Sequence, residues 1–373
     1  MGSRRVTLEE AVEAQFDGAY AGSRKVGLER ELIPYRHAPD ITEPVPVADL
    51  RRALGAVPDV GFEPGGQVEL HPGPSETAAG AVAVLKERER AARAALAAVG
   101  IHLAAVGLDP WRSPERIGLQ LSEHRYLAMD RHFDRIGSAG RRFMRQTAGL
   151  QVCVDLRPGI EGVVQWRAAN LISPVLAALF ANSRVCEGRR LATDGGRTAV
   201  CLATDPSRMA YGRLGRCRGL VGEYLRFATS APPLSDRFAE VDAHLSTLFP
   251  AVRPRGRYLE VRALDSVPGS ELGPAVALTT ALLAVPAAAD EVVGALDGID
   301  VPGLWSLAAG RGLRHPVMHG LAAGLVRIAQ AAAADLPEGY LPADEDGLGR
   351  VAERVARAQV SSALTSLASR FAA

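Results

Sequence analysis

Four short segments of this chain alternate between apolar and polar residues, and that alternation constrains the fold more than any other feature. Successive side chains of a β-strand point to opposite faces, so each segment is predicted to be a strand with one apolar and one polar face. In the first, Val26, Leu28 and Leu32 face one way, and Glu29 and Glu31 face the other. The other three segments are 63–71, 147–155 and 257–265.

Helical patterning dominates the rest of the chain. Segments rich in Ala, Leu and Arg repeat their apolar residues every three or four positions, as one face of a helix requires. From about residue 270 onward nearly the whole sequence has this pattern, and no repeat or flexible linker divides the chain. The predicted strands lie between the earlier helices, and the last third of the chain is nearly all helix. Residues 1–373 are expected to form a single domain with a mostly helical C-terminal part.

The polar faces of the predicted strands carry carboxylates, amides and arginine, whereas an exposed sheet is usually covered by Thr, Lys and Ser. An antiparallel sheet with one face in water shows the same alternation, and the pattern alone leaves that interpretation open. Glu29 and Glu31 argue against it. Residues i and i+2 of a strand lie about 7 Å apart, where two like charges repel by roughly 2 kcal/mol at an effective dielectric constant of about 20. A cation bound between them would remove this repulsion.

Acidic residues on neighbouring strands predict a magnesium site. Mg2+ takes oxygen ligands, usually one or two carboxylates for each ion, together with water and substrate phosphates. Arg262 stands two residues from Glu260 on the same strand face, and guanidinium groups bind phosphates through paired hydrogen bonds. Metal ions and arginines together favour phosphoryl transfer, because that reaction needs mainly neutralisation of charge. The carboxylates predicted to hold more than one ion are those of Glu29, Glu31, Glu63, Glu69 and Glu260.

Composition and missing motifs exclude several classes of function. The 43 Lys and Arg residues nearly balance the 42 Asp and Glu residues, so a formal charge of +1 provides no basic excess for binding nucleic acid. No G-x-x-x-x-G-K-[ST] loop is present, which excludes an ordinary P-loop enzyme. The four cysteines include no C-x-x-C pair and no zinc-ligand spacing, so neither a disulfide framework nor a structural zinc is indicated.

The protein is expected to work in the cytoplasm. Acidic residues at positions 9, 10 and 13 interrupt the region where a secretion signal needs an apolar run. The apolar stretch 272–289 contains two prolines and is interpreted as a buried helix, not as a membrane span. Small molecules are therefore the expected partners, with no nucleic acid, no membrane and no obligate protein partner.

An ordered set of motifs adds a family resemblance. Together the motifs resemble the glutamate–cysteine ligases of the plant and bacterial type-2 group, and within it the actinobacterial members that serve ergothioneine biosynthesis. The resemblance covers about residues 26–268. The motifs are V-G-L-E-R-E-L (26–32), F-E-P-G-G-Q-V-E-L (62–70), R-Y-L-A-M (125–129), T-A-G-L-Q-V-C-V-D (147–155), A-N-S (181–183), L-S-T-L-F-P-A-V-R-P-R (245–255) and R-Y-L-E-V-R-A-L-D (257–265).

The resemblance implies an α+β fold like that of glutamine synthetase, in which a curved antiparallel β-sheet holds the active site on its concave face and helices pack on the outer face. It also implies the reaction. The γ-carboxylate of glutamate attacks the γ-phosphate of ATP, and an amine then displaces phosphate from the γ-glutamyl phosphate. ATP is implied as a co-substrate, with two or more Mg2+ ions as cofactors.

The resemblance implies roles for individual residues as well. Glu29, Glu31, Glu63, Glu69 and Glu260 correspond to magnesium ligands, and Glu260 with Arg262 is expected at the catalytic centre. A plain ion-pair row on the strand is the structural alternative for these last two residues. Contacts to glutamate or phosphate are expected from Arg125, Thr147, Gln151, Arg197 and Arg208. The alternative for Arg125 is a surface charge at the start of a helix, and Arg197 and Arg208 lie in a glycine-rich region.

Three functions remain open from the sequence. The first is a ligase that uses cysteine as the acceptor. The second is a ligase that uses another amine in specialised metabolism. Departures from the family leave room for it, because Cys153 stands where relatives have Asn, and Thr193, Ala199 and Cys201 stand where they have Trp, Arg and Trp. The third is a catalytically silent relative that binds nucleotide or glutamate, although it would gain nothing from the repulsion between Glu29 and Glu31.

Overall fold

The computed structural model describes residues 6–16, 24–216, 219–234, 241–343 and 346–358. The strands in this part are β1 Val26–Tyr35, β2 Val60–Phe62, β3 Val68–Leu70, β4 His102–Ala104, β5 Gly149–Asp155, β6 Val185–Cys186, β7 Arg189–Arg190, β8 Val252–Pro254 and β9 Tyr258–Asp265.

Helices precede, connect and follow these strands. They are α1 Leu8–Ala14, α2 Val47–Leu54, α3 Ala78–Ala97, α4 Pro114–Ile117, α5 His124–Ile136, α6 Ser138–Arg145, α7 Gly159–Leu179, α8 Gly196–Ala203, α9 Pro206–Met209, α10 Leu220–Ser230, α11 Val241–Leu245, α12 Gly269–Ala284, α13 Pro286–Ala295, α14 Val301–Gly310 and α15 Pro316–Ala332. Residues 348–358 are also helical, whereas 359–373 lie outside the described residues. The helical C-terminal part therefore follows β9 directly.

One antiparallel sheet forms the centre of the fold. Its strands run in the order β2-β3-β1-β5-β9-β8, and β4 pairs with the far end of β1. The register sets the polar residues side by side, because Glu31 stands opposite Glu69 and Glu29 stands opposite Gln151. The sheet thus gathers polar side chains from segments that are more than 100 residues apart.

The apolar face of the sheet packs on helices. Val26, Leu28 and Leu32 of β1 are buried, and helices α3, α7 and α12 lie against β1, β9 and β5. Helix α12 is buried from Leu272 to Ala284, as expected for a helix with apolar residues on every side. The prediction of an α+β fold with an antiparallel sheet and helices on one face is confirmed. The assignment of the whole chain to one domain stays a prediction.

Of the predicted strand 63–71, only Val68–Leu70 is a strand, β3, because residues 63–67 form the turn that connects it to β2. Glu63 begins this turn, and its N–H donates to the carbonyl of Gln67 over 2.9 Å. Gly66 has a φ of +85°, which a residue with a side chain rarely adopts. The turn ends strand pairing at Phe62 and swings Glu63 toward the polar face of the sheet.

A bulge interrupts the pairing of β5 with β9. Leu150 stands opposite Leu264, whereas Val152 stands opposite Val261, so Gln151 alone faces two residues, Arg262 and Ala263. Bulges bend a strand locally and change the direction of a side chain.

The apolar face of β1 also carries a buried cation. Arg30 is fully buried between Leu28 and Leu32, and its guanidinium donates to Glu89 of α3 and to the carbonyl of Val267. Glu89 in turn accepts a hydrogen bond from Arg93 over 2.7 Å. Alternation places Arg30 on the same face as Leu28 and Leu32, but it could not reveal the ion pair, because the partner Glu89 lies 59 positions along the chain.

Replacing Glu89 by Leu is expected to destabilise the fold by about 3–5 kcal/mol, because it leaves the charge of Arg30 buried without a carboxylate. The double variant Arg30→Met with Glu89→Leu is expected to recover most of that loss. Urea denaturation of both variants measures the difference. Equal losses in the single and the double variant would contradict the ion-pair explanation.

Two apolar stretches of the described residues have the length of a membrane span. The stretch Pro316–Asp335 is long and apolar enough to cross a membrane, and the pair Gly269–Ala284 and Pro286–Ala295 passes the same test with a bend of 92°. The core helix of a water-soluble protein passes the same test, so these stretches are weak evidence for a membrane span. Residues 272–289 thus form two helical segments at an angle, and the first of them is buried.

Candidate active site

The polar face of the sheet is the floor of a large cavity. The cavity has a volume of about 1020 Å³, and residues of β1, β3, β5 and β9 line it. Helices α5, α6 and α8 contribute Arg125, Met144 and Arg197 to its other walls. The predicted polar faces therefore point into this cavity, and the interpretation as a flat sheet face in water is wrong for these strands.

Three carboxylates converge on this floor. One oxygen each from Glu31, Glu63 and Glu69 lies within 4.8 Å of the others. Strand pairing brings Glu31 beside Glu69, and the turn after β2 adds Glu63. Glu31 is held in place, because its carboxylate accepts hydrogen bonds from the N–H of Gly149 over 2.6 Å and from Nε2 of Gln151 over 3.4 Å.

The three acids are electrostatically costly in the absence of a cation. Burial and the neighbouring charge of Glu31 raise the pKa of Glu63 to about 7. Burial and the charges of Glu63, Glu31 and Glu29 raise the pKa of Glu69 to about 9. Protons or a metal ion must therefore balance the charges at neutral pH.

This cluster fits Mg2+ by its chemistry. All three ligand groups are carboxylates, the hard oxygen donors that Mg2+ prefers, and their mutual repulsion is what a divalent ion would remove. Glu29 also lines the cavity, although it is not part of the trio. Its carboxylate is close enough to raise the pKa of Glu69.

These shifts predict how the stability of the metal-free protein depends on pH. Below the ordinary carboxyl pKa of 4.5, Glu63 and Glu69 are protonated in both the folded and the unfolded chain. Between 4.5 and the folded values of about 7 and about 9, only the folded chain keeps these protons, so its stability falls as the pH rises. Mg2+ is expected to raise the melting temperature more at pH 9 than at pH 6. Thermal unfolding in EDTA and in Mg2+ checks this, and an equal increase at both values would contradict it.

Arg262 is the central cation of the site. Its Nη1 donates to Oε1 of Gln151 over 2.5 Å and also contacts Glu260. Its side chain lines the cavity and is 19% exposed. Arg125 lines the same cavity, and its guanidinium lies 5.5 Å from the ring centre of Tyr126. Thr147 lines the cavity too, where its hydroxyl donates to the carbonyl of Phe143.

Glu260 lies in an arginine cluster beside the cavity. It is fully buried, and it forms ion pairs with Arg262, with Arg255 at 3.0 Å and with Arg253 at 3.9 Å. It is not among the described residues that line the cavity. Its predicted role as a magnesium ligand therefore stays a prediction, and the arginines balance its charge in this arrangement.

The structure does not bring Arg208 to the cavity lining. Its side chain is completely buried, where Nη1 donates to the hydroxyl of Thr247 over 2.9 Å and Nε lies 3.2 Å from Asp205. These partners occupy donors of the Arg208 guanidinium. A direct contact from Arg208 to substrate has no support in this geometry.

Four more cationic side chains line the cavity, and the sequence analysis did not predict them as site residues. Arg253, Arg255 and Arg257 follow each other at every second position around the β8–β9 turn, and Lys25 precedes β1. The spacing R-P-R-G-R (253–257) could have indicated three arginines on one side of the chain, since alternate residues of an extended segment share one face.

Apolar side chains form another part of the cavity wall, in contact with the arginines, because Arg253 lies over the ring of Phe249. Tyr126 and Met129 come from α5, Phe143 and Met144 come from α6, and Phe249 precedes β8. The rings of Phe143 and Phe249 meet edge to face, with centres 5.2 Å apart. This cavity thus combines an acidic floor, an apolar wall and several cationic side chains.

Comparison with known proteins gives concordant results. The family model described as glutamate–cysteine ligase family 2 matches residues 25–309. Glutamate–cysteine ligase EgtA of Mycolicibacterium smegmatis is 32% identical over 360 residues, covering 84% of this chain and 82% of that protein. EgtA of Mycobacterium tuberculosis H37Rv is 31% identical over 331 residues, covering 78% and 74%. The chloroplastic glutamate–cysteine ligase of Arabidopsis thaliana is 29% identical over 246 residues, covering 57% of this chain and 46% of that protein.

A solved structure has the same fold. Glutamate–cysteine ligase from Francisella tularensis, solved in complex with AMP, superimposes with a TM-score of 0.55 at 14% identity, covering 91% of this chain and 82% of that chain. The sequence resemblance is confirmed by the family model, which spans most of the chain. With its acidic floor, cavity arginines and antiparallel sheet, this chain belongs to glutamate–cysteine ligase family 2.

Proposed function

We infer that this protein is an ATP-dependent carbon–nitrogen ligase that joins the γ-carboxyl group of glutamate to an amine, with cysteine as the default acceptor. The trio of Glu31, Glu63 and Glu69 beside Arg262, on the floor of one cavity in a chain of this family, carries the inference. The mycobacterial and plant relatives are named glutamate–cysteine ligases, which supports cysteine as the acceptor.

The reaction proceeds in two steps. An oxygen of the glutamate γ-carboxylate attacks the γ-phosphorus of ATP, the bond to ADP breaks, and a γ-glutamyl phosphate forms. The amine nitrogen then attacks the γ-carbonyl carbon, phosphate leaves, and the nitrogen loses a proton. Neither step needs a covalent bond to the protein, so the chain acts by positioning the reactants and balancing their charge.

The residues on the cavity floor divide these tasks. Glu31, Glu63 and Glu69 would hold Mg2+, with Glu29 beside them, and Glu260 is a further predicted ligand. The ion would supply neutralisation of the phosphate oxygens.

The cationic residues hold the anionic reactants. Arg262, whose guanidinium donates to Gln151, would bind the transferred phosphoryl group. We assign glutamate binding to Arg125 and Thr147, and contacts with the remaining phosphates of ATP to Arg253 and Arg255, because all four line the cavity.

Product formation tests the proposal directly. Purified protein is incubated with ATP, Mg2+, glutamate and a panel of amines, and phosphate release and product mass are recorded. Phosphate release that requires both glutamate and an amine is expected, with the mass of a γ-glutamyl amide. Absence of glutamate-dependent ADP formation with every amine would leave only the catalytically silent relative.

The apolar wall favours a second acceptor class within the same reaction. Tyr126, Met129, Phe143 and Phe249 provide room and contact for a side chain larger than that of cysteine. The amine panel therefore includes alanine, methionine and leucine. If cysteine is converted no faster than alanine, cysteine is not the physiological acceptor.

We also propose the cytoplasm as the place of this reaction, because ATP and glutamate are available there. Cys153, Cys186 and Cys201 are free thiols, as a reducing compartment requires, whereas Cys217 lies outside the described residues. That the protein works without an obligate protein partner stays a prediction.

A further inference from the structure

Arg197 lies against the bulge that presents Arg262. Its Nη2 donates to the carbonyl of Arg262 over 3.2 Å, and its Nη1 donates to the carbonyl of Ala263 over 3.4 Å. Arg262 and Ala263 are the two residues of the bulge, which together stand opposite the single residue Gln151. The planar fork of one guanidinium thus spans both carbonyls of the bulge, which a lysine could not do.

The surroundings of Arg197 keep it in this place. Its backbone N–H, at the start of α8, donates to the hydroxyl of Ser183 over 2.9 Å, and that hydroxyl donates to Asp265 over 2.7 Å. The guanidinium lies 3.9 Å from the same aspartate, at the end of β9. Helix α8 and strand β9 are therefore tied together around this arginine.

Gly149 leaves the space that the guanidinium occupies. A Cβ atom added at Gly149 would lie 2.6 Å from Nη2 of Arg197 and 3.3 Å from the carbonyl oxygen of Leu264. Because the second contact is with backbone, the guanidinium is the group that would have to move. A substitution at Gly149 can thus displace the guanidinium of Arg197 while the Arg197 side chain itself stays chemically unchanged.

We propose that Arg197 is a positioning residue, which holds the β9 bulge so that Arg262 points into the cavity beside Gln151. This inference rests on the ligase function proposed above. The alternative is the direct substrate contact predicted from the family resemblance. Nε of Arg197 is buried and has no hydrogen-bond partner among the described residues, so a substrate carboxylate could accept from it.

Kinetics separate the two roles. In Arg197→Lys we expect kcat to fall by about 10- to 100-fold, since small misplacements of a catalytic group have effects of that size. The KM for glutamate is expected to stay within about twofold, because only the transition-state contact made through Arg262 is weakened. Gly149→Ala is expected to reproduce the loss in kcat, and it provides a second test if Arg197→Lys folds poorly.

A double-mutant cycle identifies the residue through which Arg197 acts. Arg197→Lys combined with Arg262→Lys should lose no more activity than Arg262→Lys alone, because both changes remove the same interaction. Arg314→Lys is the matched control, since Arg314 pairs with Asp194 just before α8 and makes no contact with the bulge. Additive losses, or a large rise in the KM for glutamate, would assign Arg197 to direct substrate binding and overturn the proposal.

Hydrogen–deuterium exchange tests the same contact without activity. Peptides that cover 258–265 should exchange faster in Arg197→Lys and Gly149→Ala than in the wild type or Arg314→Lys. Unchanged exchange in both bulge variants would refute the positioning role. If the wild type shows no ligase activity but exchange accelerates as expected, the ligase function fails while the contact between Arg197 and the bulge stands.

Discussion

Glu69→Gln is expected to reduce magnesium-dependent ligase turnover by at least about 100-fold, since loss of even an outer-shell partner of a metal ligand costs about 10- to 100-fold. The substitution keeps the size of the side chain and removes the charge. It leaves Glu31 and Glu63 as an incomplete site on the cavity floor. Phosphate release at several magnesium concentrations measures both the loss in rate and the weaker dependence on the ion.

The same variant is expected to be more stable than the wild type when magnesium is absent. Burial and three neighbouring carboxylates raise the pKa of Glu69 to about 9, so its ionised form is unfavourable in the folded chain. Glutamine removes that cost, and the melting temperature in EDTA should rise, most clearly at high pH. Lower activity together with higher stability separates a functional role from a structural one.

Glu161→Gln is the matched control for this experiment. Glu161 is half-exposed on α7 and pairs with Arg157 at 3.3 Å, outside the cavity lining. It should leave turnover unchanged, because exposed ion pairs contribute little. Glu69→Gln protein that keeps its magnesium dependence and most of its activity would refute a metal site at the trio.

Arg262→Met is expected to lower kcat by about 100- to 1000-fold, the effect of removing one preorganised charge from a transition state. Its guanidinium is the cavity cation that contacts both Gln151 and Glu260. The fold should survive, because Arg253 and Arg255 continue to balance the buried charge of Glu260. Steady-state kinetics and thermal unfolding of the same preparation measure both effects.

A second arginine provides the comparison for Arg262. Arg116→Met removes a cation of similar size that pairs with Glu43 and is 56% exposed. Its turnover should match the wild type. Arg262→Met with a kcat within about tenfold of the wild type would mean that this charge is not what stabilises the transition state, given that one such contact usually contributes more.

Much of the site could be predicted from local pattern. Alternation in β1 separates Leu28 from Glu29 whatever the strand pairs with, because successive side chains point to opposite faces. Two carboxylates on one face then require a cation or protons. The acidic residues of β1 and β3 indeed meet at the cavity, with Glu31 opposite Glu69.

Long-range geometry could not be predicted in this way. The ion pair of Glu260 with Arg262 was one of the alternatives read from the sequence, whereas Arg253 and Arg255 were not expected beside Glu260, because alternation gives no distance between the β8–β9 turn and the rest of the sheet. Arg197 and Arg208 are only 11 positions apart, yet one lines the cavity and the other is buried behind it. Their different neighbours come from the packing of α8 and α9.

The alternating residues alone were sufficient to assign the polar face of each strand and the oxygen-rich chemistry of the site, since the direction of a side chain in a strand is a local property of the backbone. Which acids share one ion site, which acid is balanced by arginines, and which arginine supports another required the folded chain. Those outcomes depend on strand register, on a one-residue bulge between β5 and β9, and on helices that pack from distant parts of the sequence. Charges interact through space, so their partners are set where the chain brings them together.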